Sequence, residues 1–119
     1  MNLDSAVFYS NNIEKVVQFY RDTLDFTVEY QQGDAYVSFI FPNNARLGIK
    51  KKVEERELPG AQTVFISLER DIEILYETLK KKDVHIYKEL VAQEWGKNFS
   101  ILDPDNNKVQ FVEKSVKNE

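Results

Sequence analysis

Side chains able to make or break bonds are scarce in this sequence. It contains one histidine, His85, and no cysteine, which excludes disulfides, thiolate metal sites and a cysteine nucleophile. An imidazole titrates in the range useful for proton transfer, but no nucleophile or acidic partner accompanies His85. It reads as an exposed or internally satisfied strand residue, and no residue is assigned a catalytic role. Paired carboxylates occur twice. Glu54 and Glu55 lie in a charged run and read as solvated, while Asp103 and Asp105 flank Pro104 in D-P-D-N-N, where aspartate supports turns. What remains suits binding better than catalysis. Trp95 falls on a loop, where its amphipathic ring could cover a pocket mouth or stack on a planar ligand.

Composition narrows the partners. At 119 residues, with 42% hydrophobic and 30% charged side chains, the chain fits one domain spanning 1–119 with a sizeable core. A net charge of -4 speaks against nucleic acid, which needs a concentrated basic surface. The opening M-N-L-D lacks a basic and apolar leader pattern, and no apolar run approaches a membrane span. The expected location is therefore the cytoplasm, with no membrane partner.

The elements that position these residues come as a repeat. V37-S-F-I-F-P-N-N-A-R-L-G-I49 recurs as F99-S-I-L-D-P-D-N-N-K-V-Q-F111, with Pro42 and Pro104 separated by 62 positions. The helices repeat at a smaller offset, 59, with Ile13 matching Ile72 and Tyr20 matching Leu79. Ile13, Val16, Val17, Tyr20 and Leu24 mark one face of a helix, capped by Asn11 with Glu14 three residues later. Strands are expected over 4–9, 26–30, 36–41 and 46–50, giving βαβββ in module one, 1–50. Residues 51–60, charged and ending in Pro-Gly, form the linker candidate. Module two, 61–113, repeats the order with strands over 62–68, 84–89, 98–102 and 108–113. The three additional residues fall most simply in the loop 90–97. The tail, 114–119, lacks apolar periodicity and is expected to fray.

F19-Y20-R-D-T-L24-D25-F26, W95-G96 and L102-D103-P104-D105-N106-N107 resemble the F-Y-x-x-x-L-G-F, W-G and D-P-D-G-N elements of the glyoxalase, bleomycin-resistance and extradiol-dioxygenase superfamily. The resemblance covers nearly the whole chain. It implies an α+β fold in which two βαβββ modules form a curved mixed sheet around a cavity, often completed by a second subunit in a homodimer. Asp25 and Asn106 stand where that family usually has glycine, and asparagine tolerates the left-handed backbone such a turn needs.

Metal-dependent members of that family draw ligands from the inner strands of both modules. The matching positions here are Ser5, fourteen residues before Phe19, its repeat partner Val64, Gly48, and Gln110. Glycine and valine carry no donor, and an uncharged serine is a poor transition-metal ligand. A one-residue slip in register brings in Ala6, Phe65, Phe111 and Ile49, which supply nothing better. No metal and no cofactor are expected. The resemblance then points to a metal-independent protein that binds a small molecule through Tyr9, Trp95, Ser5 and Gln110, with Gly48 and Val64 also facing the cavity. Arg46 and Lys50 share strand parity with Gly48 and are either cavity charges favouring an anionic ligand or solvated edge charges. The competing readings are a metal-dependent lyase, isomerase or dioxygenase of the same superfamily, and a dimeric interaction module whose cavity is filled by its own side chains.

Overall fold

The computed structural model describes residues 1–115. The chain divides into two compact units. One is Met1–Gln62 with Pro104–Asn106, and the other is Thr63–Asp103 with the chain from Asn107 onward. Each is built as a βαβββ module, so the fold is α+β as expected.

In module one, β1 (Ala6–Ser10), α1 (Ile13–Gln18), β2 (Thr27–Gln32), β3 (Tyr36–Ile40) and β4 (Arg46–Lys51) follow in order. The sheet runs β1-β4-β3-β2, with β1 parallel to β4 and the remaining pairs antiparallel. Strand alternation puts Phe8, Val37, Phe39, Leu47 and Ile49 on one face, all buried, together with Ile13, Val16, Val17 and Tyr20. The Tyr20 ring lies 5.4 Å from Phe26 and 5.8 Å from Phe39. The expected helical face is therefore core, but its backbone differs from an ideal helix. After Gln18 the chain widens into a π-helical turn, Phe19–Thr23, in which the Leu24 amide donates to the Phe19 carbonyl at 3.1 Å. Asp25, at φ 59, then ends the helix in the left-handed conformation that glycine supplies more cheaply. The cap also lies one residue later than Asn11. The Asn12 side chain accepts from the Lys15 amide at 3.3 Å, and Ser10 Oγ accepts from the Asn12 amide at 3.0 Å.

Module two comprises β5 (Thr63–Leu68), α2 (Ile72–Lys81), β6 (Ile86–Gln93), β7 (Gly96–Leu102) and β8 (Lys108–Lys114), in sheet order β5-β8-β7-β6. Phe99, Ile101, Val109 and Phe111 are buried with Ile72 and Leu79. The Phe99 ring stacks on Phe111 at 5.1 Å and meets Tyr76 edge-on at 5.0 Å. The three additional residues do not make a loop over 90–97. They are the net of four residues gained in the β6–β7 hairpin, where Ile86 pairs with Ile101 as Val28 does with Phe39, and one lost before β6. The hairpin closes through Glu94 and Trp95, and register shifts along β6 between Ile86 and Val91 absorb the mismatch.

The expected linker is also more ordered than its composition suggests. Glu57 is only 5% exposed. Its carboxylate accepts from Lys50 Nζ at 2.9 and 3.0 Å and from the amides of Val53 at 2.8 Å and Glu54 at 3.0 Å. The segment is thus pinned to the end of β4. Of the predicted tail, Lys114 closes β8, and 116–119 lie outside the described residues.

Candidate functional site

The face of each sheet opposite its buried apolar side carries the candidate residues. In module one this face presents Val7 and Tyr9 from β1, Arg46, Gly48 and Lys50 from β4, and Tyr36 and Ser38 from β3. Two cross-strand rows result. Val7 pairs with Gly48 and Gly48 with Ser38, while Tyr9 pairs with Lys50 and Lys50 with Tyr36. Ser5 lies just before β1 with the same parity and is half-buried.

Gly48 is not open space. A Cβ there would fall 2.9 Å from both Cε1 and Cζ of Tyr36, and closer still to its hydroxyl. The Tyr36 ring therefore covers the position where the resemblance places a metal ligand.

The two cations on this face are both paired. Arg46 Nε donates to the Glu29 carboxylate at 2.8 and 3.0 Å, and Ser38 Oγ donates to the same group at 3.2 Å. The Arg46 hydrogen bonds hold the Glu29 carboxyl below its ordinary range and raise the guanidinium in return. Lys50 is committed to Glu57 and stands 5.7 Å from the centre of the Tyr9 ring. Glu57 is lowered to about 2, chiefly by the Glu54 amide, then by Lys50 and the Val53 amide. Strand parity alone could not reveal these partners, because Glu29 sits in a bulge between Val28 and Tyr30 and Glu57 in the linker. Neither cation is left to attract an anion unaided.

In module two the corresponding row is Phe65, Gln110, Ser100 and Lys88. Val64 does not belong to it. Val64 pairs with Val109, which is fully buried, and so lies on the helix-packed side. The cause is a one-residue insertion between β5 and α2, absorbed by Asp71 at φ 66. Strand β1 thus matches β5 at an offset of 58, one less than the helices, and Thr63 rather than Val64 corresponds to Ser5. The corrected set is Ser5, Gly48, Thr63 and Gln110. Two neutral hydroxyls, an amide and a glycine do not fit a divalent metal that takes His and Glu ligands. Among the described residues no group of three or more His, Cys, Asp or Glu side chains is arranged to hold a metal ion.

Gln110 begins a chain of amides. Its Nε2 donates to Asn98 Oδ1 at 3.3 Å, and Asn98 Nδ2 donates to Gln93 Oε1 at 2.9 Å. Beside Gln110, Ser100 is 2% exposed and its Oγ has no hydrogen-bond partner among the described residues. Its repeat counterpart Ser38 has Glu29. In module two, Tyr87 occupies the bulge position that Glu29 fills in module one, so Ser100 loses the carboxylate. Phe65, 67% exposed, and the half-exposed Tyr87 and Val91 add apolar surface. Trp95 occupies the tip of the β6–β7 hairpin, 49% exposed, with its carbonyl accepting from the Ser115 amide at 3.1 Å. His85 precedes β6 rather than lying within it, and is exposed.

The chain belongs to the Glyoxalase/Bleomycin resistance protein/Dioxygenase superfamily, whose description matches residues 2–111. Among solved structures it is similar to TnmS3, an antibiotic binding protein from a Streptomyces species. That match has TM-score 0.84 and 18% identity, and covers 97% of each chain. UcmS2 matches with TM-score 0.81 and 17% identity over 96% of this chain and 98% of the other. Lactoylglutathione lyase from Agrobacterium tumefaciens matches with TM-score 0.78 and 13% identity over 94% of this chain and 92% of the other. No curated protein matches the chain. Among the described residues no helix is long and apolar enough to cross a membrane.

Proposed function

We propose that this protein binds a small molecule without a metal, in the manner of the binding members of its superfamily. The observation that carries the reading is the content of the corrected ligand set, where Ser5, Gly48, Thr63 and Gln110 supply one amide, two hydroxyls and no charge. The similarity to an antibiotic binding protein supports the same direction. Sites for organic ligands combine apolar surface with a few placed polar groups. In module two Phe65 and Trp95 offer the former, and Gln110 with Ser100 the latter. A buried hydroxyl without a partner is costly, so an acceptor or donor brought by a ligand would recover that cost. Because Arg46 and Lys50 are already neutralised, the preferred ligand is uncharged at this face. The homodimer implied by the resemblance belongs to this reading and is tested by light scattering.

The decisive experiment has two arms. Protein purified without added metal is assayed for bound transition metals, and a chemically broad library is screened by thermal shift with and without EDTA. The expected result is no stoichiometric metal and a stabilising ligand whose effect EDTA leaves unchanged. About one tightly held Ni, Zn, Fe or Mn per chain would overturn the proposal in favour of metal-dependent chemistry. Absence of stabilisation by any library member would favour a cavity filled by the protein's own side chains.

A further inference from the structure

The open face of module two carries a diagonal of three carboxamides, Gln110 on β8, Asn98 on β7 and Gln93 on β6. Gln110 Nε2 donates to Asn98 Oδ1 at 3.3 Å, and Asn98 Nδ2 donates to Gln93 Oε1 at 2.9 Å. Each nitrogen answers the next carbonyl, so the chain has one polarity. The half-buried Gln110 is left with its carbonyl oxygen unused, and the exposed Gln93 with its nitrogen. Among the described residues no charged side chain hydrogen-bonds to any of the three.

Nothing beside Gln110 fixes that polarity. Its cross-strand neighbours are Phe65 on β5 and Ser100 on β7. The Phe65 ring makes no conventional hydrogen bond. The Ser100 hydroxyl, without a partner among the described residues, can rotate to donate or to accept. The oxygen and nitrogen of a carboxamide are nearly equal in size, so turning all three amides over together keeps the distances and reverses every donor. Gln110 then presents its nitrogen instead of its oxygen. Module one has no such freedom. At the strand offset of 62, Gly48 and Tyr36 stand where module two has Gln110 and Asn98. Ser38 and Arg46 are tied to Glu29, a carboxylate that can only accept.

We infer, resting on the proposed function, that the amide chain lets this face bind uncharged aromatic ligands bearing either a hydrogen-bond donor or an acceptor at the ring edge. Phe65, 67% exposed, supplies the apolar platform beside Gln110. The edge group of the ligand meets Gln110, which answers a carbonyl or ring nitrogen with N–H and an N–H or O–H with its oxygen. Asn98 and Gln93 are positioning residues that turn with Gln110, so neither polarity breaks a link of the chain. Hydrogen-bonded amides polarise one another, and the group at position 93 is therefore felt at Gln110.

A charge at position 93 should lock the chain. The carboxylate of Gln93→Glu only accepts, which holds Asn98 Nδ2 and leaves Gln110 presenting oxygen; the ammonium of Gln93→Lys only donates and imposes the reverse. Gln93 is exposed, so both variants leave the core untouched. The full chain is titrated in EDTA with indole (a donor alone), quinoline (an acceptor alone) and naphthalene (neither), and the Gln110 side-chain amide is followed by NMR. The wild type is expected to bind indole and quinoline within about threefold of each other and naphthalene about fivefold more weakly, the loss of one net hydrogen bond. Gln93→Glu should favour indole over quinoline by about fivefold, and Gln93→Lys quinoline over indole by a similar factor. Adding Asn98→Ala, which cuts the chain, should erase both preferences. Saturable binding with the same indole-to-quinoline ratio in the wild type and both variants would overturn the inference and leave the proposed function standing. No saturable shift from any probe would overturn it as well, and the library screen then judges the proposed function separately.

Discussion

The placement of Tyr36 over Gly48 makes a quantitative prediction. In a strand, glycine costs roughly 0.5–1 kcal/mol relative to alanine through backbone entropy, so Gly48→Ala should stabilise the protein if the site were open. The site is not open. The new Cβ would approach Tyr36 Cε1 and Cζ to 2.9 Å, and such overpacking costs about 1–3 kcal/mol. Removing the ring by Tyr36→Ala should abolish the steric cost and leave only the entropic gain. The two backgrounds must then differ by the steric part, about 1–3 kcal/mol, which is the coupling energy of a double-mutant cycle. With a urea slope of about 1–3 kcal/mol per molar, that coupling appears as a midpoint difference on the order of 1 M. Urea unfolding of the wild type, both single variants and the double variant measures it directly. If Gly48→Ala changes stability by the same amount, within about 0.5 kcal/mol, in both backgrounds, the ring does not occupy the position. A side chain at position 48 would then have room on this face, and Tyr36 would not exclude a ligand from β4.

Three further outcomes follow from particular contacts. Ser38→Ala should destabilise, because it removes the 3.2 Å hydrogen bond to Glu29, whereas Ser100→Ala should be neutral or stabilising by up to about 1 kcal/mol in ligand-free protein, since it deletes a buried hydroxyl without a partner; parallel thermal melts separate them. Glu57 is lowered to about 2 from the ordinary 4.5, so its stabilising contribution is fully present above pH 4.5 and is lost as pH falls towards 2. The stability gap between wild type and Glu57→Gln, measured by urea titration across this window, should be widest near neutrality and close in acid; a constant gap would refute the assignment. Asp25, at φ 59, should accept glycine with little change or slight stabilisation but lose about 1 kcal/mol on replacement by alanine, which lacks a side chain able to support the left-handed conformation.

The repeat was the legible part of the sequence because burial enforces it. The alternation that sends Val37, Phe39, Leu47 and Ile49 inward recurs in Phe99, Ile101, Val109 and Phe111, all of them buried, and a slip would expose the whole set. Boundaries were less legible where one backbone group could substitute for another. Asn11 and Asn12 are equally able to cap, and only the geometry following Ser10 selects Asn12. The assignment of Val64 failed for a related reason. The helix offset of 59 does not carry back to β5, because the connection before α2 contains one additional residue and nothing in E-R-D announces that Asp71 adopts a left-handed conformation. The partners of Arg46 and Lys50 were hidden because Glu29 and Glu57 lie outside regular strand parity, one in a bulge and one in a segment whose charge suggested solvent.

Duplication also exposes where the modules have diverged, and the divergence is not spread evenly. On the helix-packed faces, Phe39, Leu47 and Ile49 are answered by Ile101, Val109 and Phe111, substitutions that exchange one apolar volume for another within each core. Such exchanges are what packing permits when total volume is conserved. At two places chemical character changes instead. On the open face, Glu29 gives way to Tyr87 and Gly48 to Gln110, converting a charged, self-satisfied surface in module one into neutral amides and an unpaired hydroxyl in module two. Beside the helices, Tyr76, Phe99 and Lys97 of module two stand where module one has Val17, Val37 and Ala35, and Lys97 pairs with Glu73 while Glu14 has no ion-pair partner among the described residues. On the open face folding alone favours the satisfied version, since an unpaired buried polar group costs stability. The open face of module two leaves unsatisfied what module one satisfies through Glu29, and a ligand there would recover the most free energy.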